Sequence, residues 1–145
     1  MAKLRIAVIG AGAFGRKHVE TISKEPLCTL AGLADPAPAA KNFAGELGVP
    51  WREDAGDLLD AVKPDGVIVA TPNALHVPVG LACAARKLPM LIEKPIAETV
   101  DGARTLVEAA GRGVVGAGHR EEGQVAHARL VLDALGAVVD RLHDA

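Results

Sequence analysis

Short apolar runs alternate with longer segments of helical character along this chain of 145 residues. The first run, residues 4–9, is apolar at nearly every position, as expected of a strand covered on both faces of its sheet. Runs of the same character occur at residues 29–34, 67–70 and 89–92, with a weaker one at 49–51. This alternation predicts an α/β fold with parallel strands and right-handed helical crossovers.

Turn and capping residues set the boundaries of the predicted helices. Gly48 is a favoured residue to end a helix, while Asp54 and Thr99 (or Asp101) are favoured residues to begin one. Helices are predicted at residues 13–24, at 74–87 and from Thr99 or Asp101 to about 110, and an Ala-rich helix after Pro36 ends at about residue 47. Another helix follows Asp54 and has an apolar stripe at Leu58, Leu59 and Val62. A short strand at 114–115 precedes a last helix at 123–135. No repeat, linker or low-complexity tract interrupts the series, so we expect a single domain.

A glycine-rich loop directly follows the first predicted strand and opens the first helix. Gly10 permits a tight turn, Gly12 lacks a Cβ that would collide with a pyrophosphate, and Gly15 allows close helix packing. The helix N-terminus supplies free N–H groups and a favourable dipole for phosphate. The sequence therefore predicts a Rossmann fold, a doubly wound parallel sheet with helices on both faces. The predicted cofactor contacts in the loop are Gly10, Gly12, Ala13, Phe14 and Gly15.

Asp35 stands at the end of the second predicted strand, about 20 residues after the glycine loop, where the dinucleotide fingerprint has an acidic residue. Its carboxylate can accept hydrogen bonds from the adenosine ribose and would repel a 2′-phosphate. NAD is therefore favoured over NADP. The alternative interpretation of Asp35 is an ordinary turn residue before Pro36, and the two roles are compatible.

Two later strands end in unusual polar residues, Thr71-Pro72-Asn73 and Glu93-Lys94-Pro95. In an open parallel sheet, ligands lie at the carboxyl ends of the strands, so both segments fall on the ligand side. Local sequence alone favours plainer roles, with Thr71 and Asn73 capping a helix and Glu93 and Lys94 forming a solvated charge pair.

Together these motifs resemble the glucose-fructose oxidoreductase and inositol dehydrogenase family (Gfo/Idh/MocA) over about residues 4–120. The family resemblance implies that Thr71, Asn73 and His76 line the cofactor cleft. It also implies that Glu93 and Lys94 approach the nicotinamide and the substrate, and that a cis peptide bond precedes Pro95. His18 has no partner visible in the sequence, so we interpret it as a core or surface histidine and exclude it from the site.

Lys94 is the predicted catalytic residue. An ammonium group there would hydrogen-bond a substrate hydroxyl or carbonyl and stabilise the alkoxide-like charge that develops during hydride transfer. With a lowered pKa it would also relay the proton. The implied activity is that of an NAD-dependent oxidoreductase acting on a sugar or polyol.

The family continues into a second α/β domain, and this chain stops before it. We therefore assign residues 1–120 to the NAD-binding domain and 121–145 to a terminal helix and tail leading toward an absent substrate domain. The chain alone is expected to be inactive. Residues common in the family are replaced here by Glu121, Glu122 and Val125. The catalytic histidine motif of the family is not matched at His119, His127 or His143.

Charge and composition exclude several other functions. The 16 basic and 18 acidic residues are interspersed, which argues against a nucleic-acid partner. No apolar stretch approaches the roughly 20 residues of a membrane span, and a cytoplasmic location is expected. Cys28 and Cys83 are isolated, so we expect core thiols and no metal. A homo-oligomer is compatible with the sequence.

Two alternative functions remain open. One is a free-standing nucleotide-binding or regulatory module without catalysis, an interpretation that rests on the missing domain. A flavin or S-adenosylmethionine binder would also use the glycine loop and Asp35, but would leave Glu93-Lys94-Pro95 unexplained.

Overall fold

The computed structural model describes residues 2–111, 133–138 and 140. The strand predicted at 114–115 and the start of the helix predicted at 123 lie outside these residues. Residues 133–138 and 140 are helical, so the last helix continues beyond Leu135, its predicted end.

Within the described residues, five parallel strands form one sheet in the order β3-β2-β1-β4-β5. This is the doubly wound Rossmann arrangement, which confirms the predicted fold class. The strands are β1 (Leu4–Ile9), β2 (Cys28–Ala34), β3 (Trp51–Arg52), β4 (Gly66–Val69) and β5 (Met90–Ile92). The helices are α1 (Ala13–Lys24), α2 (Pro38–Leu47), α3 (Ala55–Val62), α4 (His76–Ala85) and α5 (Val100–Ala110), with a 3-10 turn at Asn73–Leu75.

The predicted helix caps are confirmed. The carboxylate of Asp54 accepts a hydrogen bond from the backbone N–H of Asp57 at 3.0 Å, at the start of α3. The Thr99 hydroxyl likewise accepts from the N–H of Gly102 at 3.0 Å, at the start of α5. Gly48 ends α2 with φ of 69°, in the left-handed region that glycine tolerates.

The predicted helix at 74–87 is shorter in the structure. It begins as the 3-10 turn, and α4 ends at Ala85 because Lys87 turns into the left-handed region, with φ of 55°. The interpretation of Thr71 and Asn73 as helix caps is wrong. The cap residues are Pro72 and Leu75, and the Thr71 hydroxyl instead donates to the carbonyl of Pro72.

The core lies on both faces of the sheet, as alternation along β1 shows. Ile6 and Val8 pack on one face against α1, α2 and the helical residues 133–138, whereas Ala7 and Ile9 pack on the other against α3 and α4. This two-sided burial explains why the strands read as continuous apolar runs. Cys28 and Cys83 are 2% and 0% exposed, which confirms their prediction as core residues.

Candidate functional site

Gly10 and Gly15 make the glycine loop possible by allowing close backbone contacts. Gly10 has φ of +93°, and a Cβ there would lie 2.5 Å from the carbonyl oxygen of Ala70, where β4 ends. A Cβ at Gly15 would overlap the carbonyl oxygen of Gly10. The close packing of α1 that the sequence predicted is therefore present, and both positions require glycine.

Gly12 differs from these two glycines because it faces open space. A Cβ there would meet no atom within 4 Å, and its φ of −74° is accessible to any residue. Gly12 is the N-terminal cap of α1, whose first N–H groups have no partner within the helix. Ala13 and Phe14 follow, both exposed, with Phe14 62% accessible. The geometry leaves room for a phosphate group directly in front of the helix.

Asp35 follows β2 and is hydrogen-bonded on both sides. Its Oδ2 accepts from the N–H of Ala11 at 2.8 Å, and its Oδ1 accepts from the N–H of Ala37 at 2.7 Å. The turn role and the position beside the glycine loop are thus both present in the structure. A carboxylate has about four acceptor positions, so it can still accept ribose hydroxyls.

A cleft of about 550 Å³ opens at the carboxyl ends of β1, β2 and β4. Three of the predicted site residues line it: Gly10, Asp35 and Thr71. Sequence reasoning missed the part of this lining that comes from the segment after β3 and from α4 with the residues at its two ends. These residues include Glu53, Asp54, Ala55, Leu75, Pro78, Val79 and Arg86. Ligands in such sheets lie at strand ends, so the sequence would have indicated the segment after β3 if that strand had been predicted to end at Arg52, as it does in the structure.

Arg86 is held at the edge of this cleft by Asp60. Its Nε and Nη2 donate to the two carboxylate oxygens at 2.8 and 3.2 Å, while Nη1 donates to the carbonyl of Ala82. The hydrogen bonds from the guanidinium hold the pKa of Asp60 below its ordinary value. This paired arginine therefore presents its side chain to the cleft in a fixed position.

His76 lies at the start of α4 and is 1% exposed. Its Nδ1 is 2.7 Å from the carbonyl oxygen of Pro95, and its Nε2 is 2.9 Å from that of Thr71. The ring thus joins the segment after β4 to the segment after β5. Its assignment as a cofactor contact stays a prediction, as do those of Thr71 and Asn73.

Lys94 is exposed after β5, and a cis peptide bond joins it to Pro95, as the family resemblance implied. Among the described residues Lys94 has no ion-pair partner. The side chain of Glu93 turns the other way, and its Oε1 lies 2.5 Å from Nε2 of His18. His18 is 0% exposed, so it is a core residue, and Glu93 is the partner that the sequence did not reveal.

Residues 4–119 of the chain match the profile of the Gfo/Idh/MocA family, described as an oxidoreductase family with an NAD-binding Rossmann fold. The chain belongs to this family. It is an NAD-binding Rossmann domain. The matched residues include the glycine loop, Asp35 and the two strand-end motifs.

Curated relatives of this Gfo/Idh/MocA domain include a rhizopine catabolism protein and inositol 2-dehydrogenases. The rhizopine catabolism protein MocA of Rhizobium meliloti is 40% identical over 113 residues, which are 77% of this chain and 35% of that protein. An inositol 2-dehydrogenase of Rubrobacter xylanophilus is 33% identical over 109 residues, which are 74% of this chain and 31% of that protein. The chain thus spans about a third of the length of these relatives.

Solved structures show the same fold. GenD2 from gentamicin A biosynthesis, in complex with NAD, has a TM-score of 0.73 and 31% identity, covering 79% of this chain and 34% of that one. A scyllo-inositol dehydrogenase from Lactobacillus casei, with bound NAD(H) and scyllo-inositol, has a TM-score of 0.73 and 23% identity, covering 77% and 34%. The latter likeness concerns the fold alone.

Among the described residues, no group of three or more His, Cys, Asp or Glu side chains is arranged to hold a metal ion. None of the helices in the same part of the chain has the length and apolar character required to cross a membrane.

Proposed function

We propose that this domain forms the NAD-binding part of an oxidoreductase that transfers hydride between the nicotinamide and a sugar- or polyol-like substrate. The observation that carries this proposal is the position of three features at one edge of the sheet. The open space at Gly12, the carboxylate of Asp35 and the exposed Lys94 all lie beyond carboxyl ends of parallel strands. The names of relatives that act on inositol supply the substrate class.

Different groups of this chain bind different parts of the cofactor. The N–H groups at the start of α1 bind the pyrophosphate in the space before Gly12, and Asp35 accepts hydrogen bonds from the adenosine ribose. The adenosine end would lie in the cleft that Asp35 lines, against the apolar side chains of Leu75 and Val79. When bound, the cofactor would supply the hydride acceptor.

Lys94 is the proposed catalytic residue. In the oxidation direction, the neutral amine of Lys94 accepts the proton of the substrate hydroxyl as the hydride passes to the nicotinamide, and the ammonium group that results hydrogen-bonds the oxygen and stabilises its alkoxide-like charge. In the reduction direction, the ammonium group returns that proton to the oxygen as the hydride arrives at the carbon. Thr71 and Asn73, which cap no helix, are proposed to contact the cofactor between Asp35 and Lys94.

Calorimetric titration of the chain with NAD, NADP and ADP-ribose tests this assignment. We expect binding of NAD and ADP-ribose, weaker binding of NADP, and loss of all binding in Gly12→Ala, whose Cβ would occupy the phosphate space. Absence of NAD binding at millimolar concentration would overturn the proposal. Saturable binding of a flavin or S-adenosylmethionine instead of NAD would favour that alternative class, and turnover of a polyol by this chain alone would exclude a purely regulatory module.

A further inference from the structure

Lys94 is flanked on both sides by contacts to a buried histidine. On one side, Glu93 is bonded through its side chain to His18 of α1. On the other side, the carbonyl oxygen of Pro95 is bonded to His76 of α4. We infer that His18 and His76 are positioning residues, which together fix the backbone that presents Lys94 to the cofactor site. This inference rests on the proposed function of Lys94.

The contact of His18 fixes the direction of the chain at Glu93. His18 is fully buried, whereas the Glu93 side chain is 23% exposed, so the carboxylate is drawn from the surface toward the core. The N–H of Glu93 also donates to the carbonyl of Val69 at 3.0 Å, which continues the strand ladder beyond β5. In an extended segment successive side chains point to opposite faces, so an inward Glu93 directs Lys94 outward.

The protonation of His18 follows from its surroundings. Its Nδ1 is buried without a hydrogen-bond partner among the described residues. A carboxylate oxygen accepts, so Nε2 of His18 is the donor to Oε1 of Glu93.

His76 fixes the other side of Lys94 and links it to the segment after β4. Both ring nitrogens face carbonyl oxygens, those of Pro95 and Thr71. A ring nitrogen of His76 that carries a proton donates a hydrogen bond to the carbonyl oxygen that it faces. Because α1 begins at the glycine loop, His18 links Lys94 to the proposed pyrophosphate site, and His76 links Lys94 to the segment after β4. Catalysis depends on such placement to within about 1 Å.

Backbone 15N relaxation of the cofactor-free chain tests the inference. In the wild type we expect the order parameter of Lys94 to be near the rigid value of about 0.85, and in His18→Leu or His76→Leu to fall toward about 0.6. His18→Gln, whose amide nitrogen stands near the position of Nε2, should restore the order. His76→Asn, with its nitrogen near Nδ1, should retain the bond to Pro95 and the order, whereas His76→Gln should retain only the bond to Thr71.

Thr21→Val is the matched control. Thr21 is a buried polar residue of α1 whose hydroxyl bonds only within its own helix, to the carbonyl of Lys17, so Lys94 should keep its order.

An unchanged order parameter at Lys94 in a folded leucine variant would overturn the role of that histidine. If His18→Leu fails to fold, Glu93→Ala removes the same bond from its more exposed partner. If His76→Leu fails to fold, equal order in His76→Asn and His76→Gln would overturn the role of His76. The measurement uses no cofactor, so the two failures are distinguishable: failure of NAD binding would contradict the proposed function, whereas unchanged order at Lys94 would contradict the positioning role of the histidines.

Discussion

The carboxylate of Asp35 accepts a hydrogen bond from the backbone N–H of Ala11 at 2.8 Å, which ties the acidic residue directly to the glycine loop. Asp35→Ala therefore removes the proposed ribose acceptor and a support of the loop. We expect NAD to bind about 10- to 100-fold more weakly, since each hydrogen bond to a charged group contributes about 1.5–3 kcal/mol. The preference for NAD over NADP should narrow because the repulsion of the 2′-phosphate is lost.

Parallel calorimetric titrations with NAD and NADP measure both effects. Glu46→Ala is a suitable control, because it removes the same charge from an exposed position on α2. Unchanged affinities for both cofactors in Asp35→Ala would contradict the assignment.

Gly12 and Gly15 should respond in opposite ways to the same substitution. Gly12→Ala places its Cβ in open space, so stability should fall by at most about 1 kcal/mol, while NAD binding is lost. Gly15→Ala forces a Cβ into the backbone of Gly10, and we expect a loss of more than about 3 kcal/mol of stability. Urea unfolding of both variants, together with NAD titration of Gly12→Ala, measures the contrast. A Gly12→Ala protein that binds NAD normally would place the pyrophosphate elsewhere.

The fold and the conformation of the glycine loop could be predicted because their signals are local. The apolar runs place β1 correctly at both ends, and the caps at Asp54 and Thr99 depend on residues three positions apart. The glycine fingerprint is equally local, since its steric demands act within one turn of chain.

The contacts that complete the site could not be predicted in this way. His18 and Glu93 are 75 positions apart, and only the parallel order of β1, β4 and β5 brings them together. His76 was assigned to the cofactor cleft by resemblance alone, yet its ring is buried between two carbonyl oxygens. Tertiary packing decides such contacts, and no periodicity in the sequence encodes them.

Lys87 occupies a backbone conformation that favours glycine. Its φ is 55° and its side chain is exposed, so Lys87→Gly relieves strain without removing core contacts. We expect a gain of about 1 kcal/mol in the free energy of unfolding, the cost that a side chain adds in the left-handed region. Thermal and urea unfolding measure the gain. Lys41→Gly makes the same change inside α2 and should instead destabilise by about 1 kcal/mol. Destabilisation by Lys87→Gly would show that the lysine side chain contributes packing there.

The thiol of Cys83 should be unreactive in the folded chain and should make stability depend on alkaline pH. Burial raises its pKa from the ordinary value of 9.0 to about 12, so almost no thiolate forms at pH 8. Iodoacetamide labelling followed by mass spectrometry should therefore modify Cys83 only after denaturation. Cys28 is also buried with a raised pKa, so it should behave similarly.

The sign of the pH effect follows from the same shift. Between pH 9 and about 12 the unfolded chain releases the Cys83 proton while the folded chain retains it. The protonated thiol therefore makes its full contribution to the free energy of unfolding below pH 9, and that contribution declines as the pH rises above 9. Cys83→Ala removes this contribution. Its free energy of unfolding should therefore fall less steeply than that of the wild type from pH 9 to 10.5, as measured by urea titrations at each pH. Equal slopes, or rapid labelling of Cys83 under native conditions, would show that the thiol is accessible to solvent in a populated state of the folded chain.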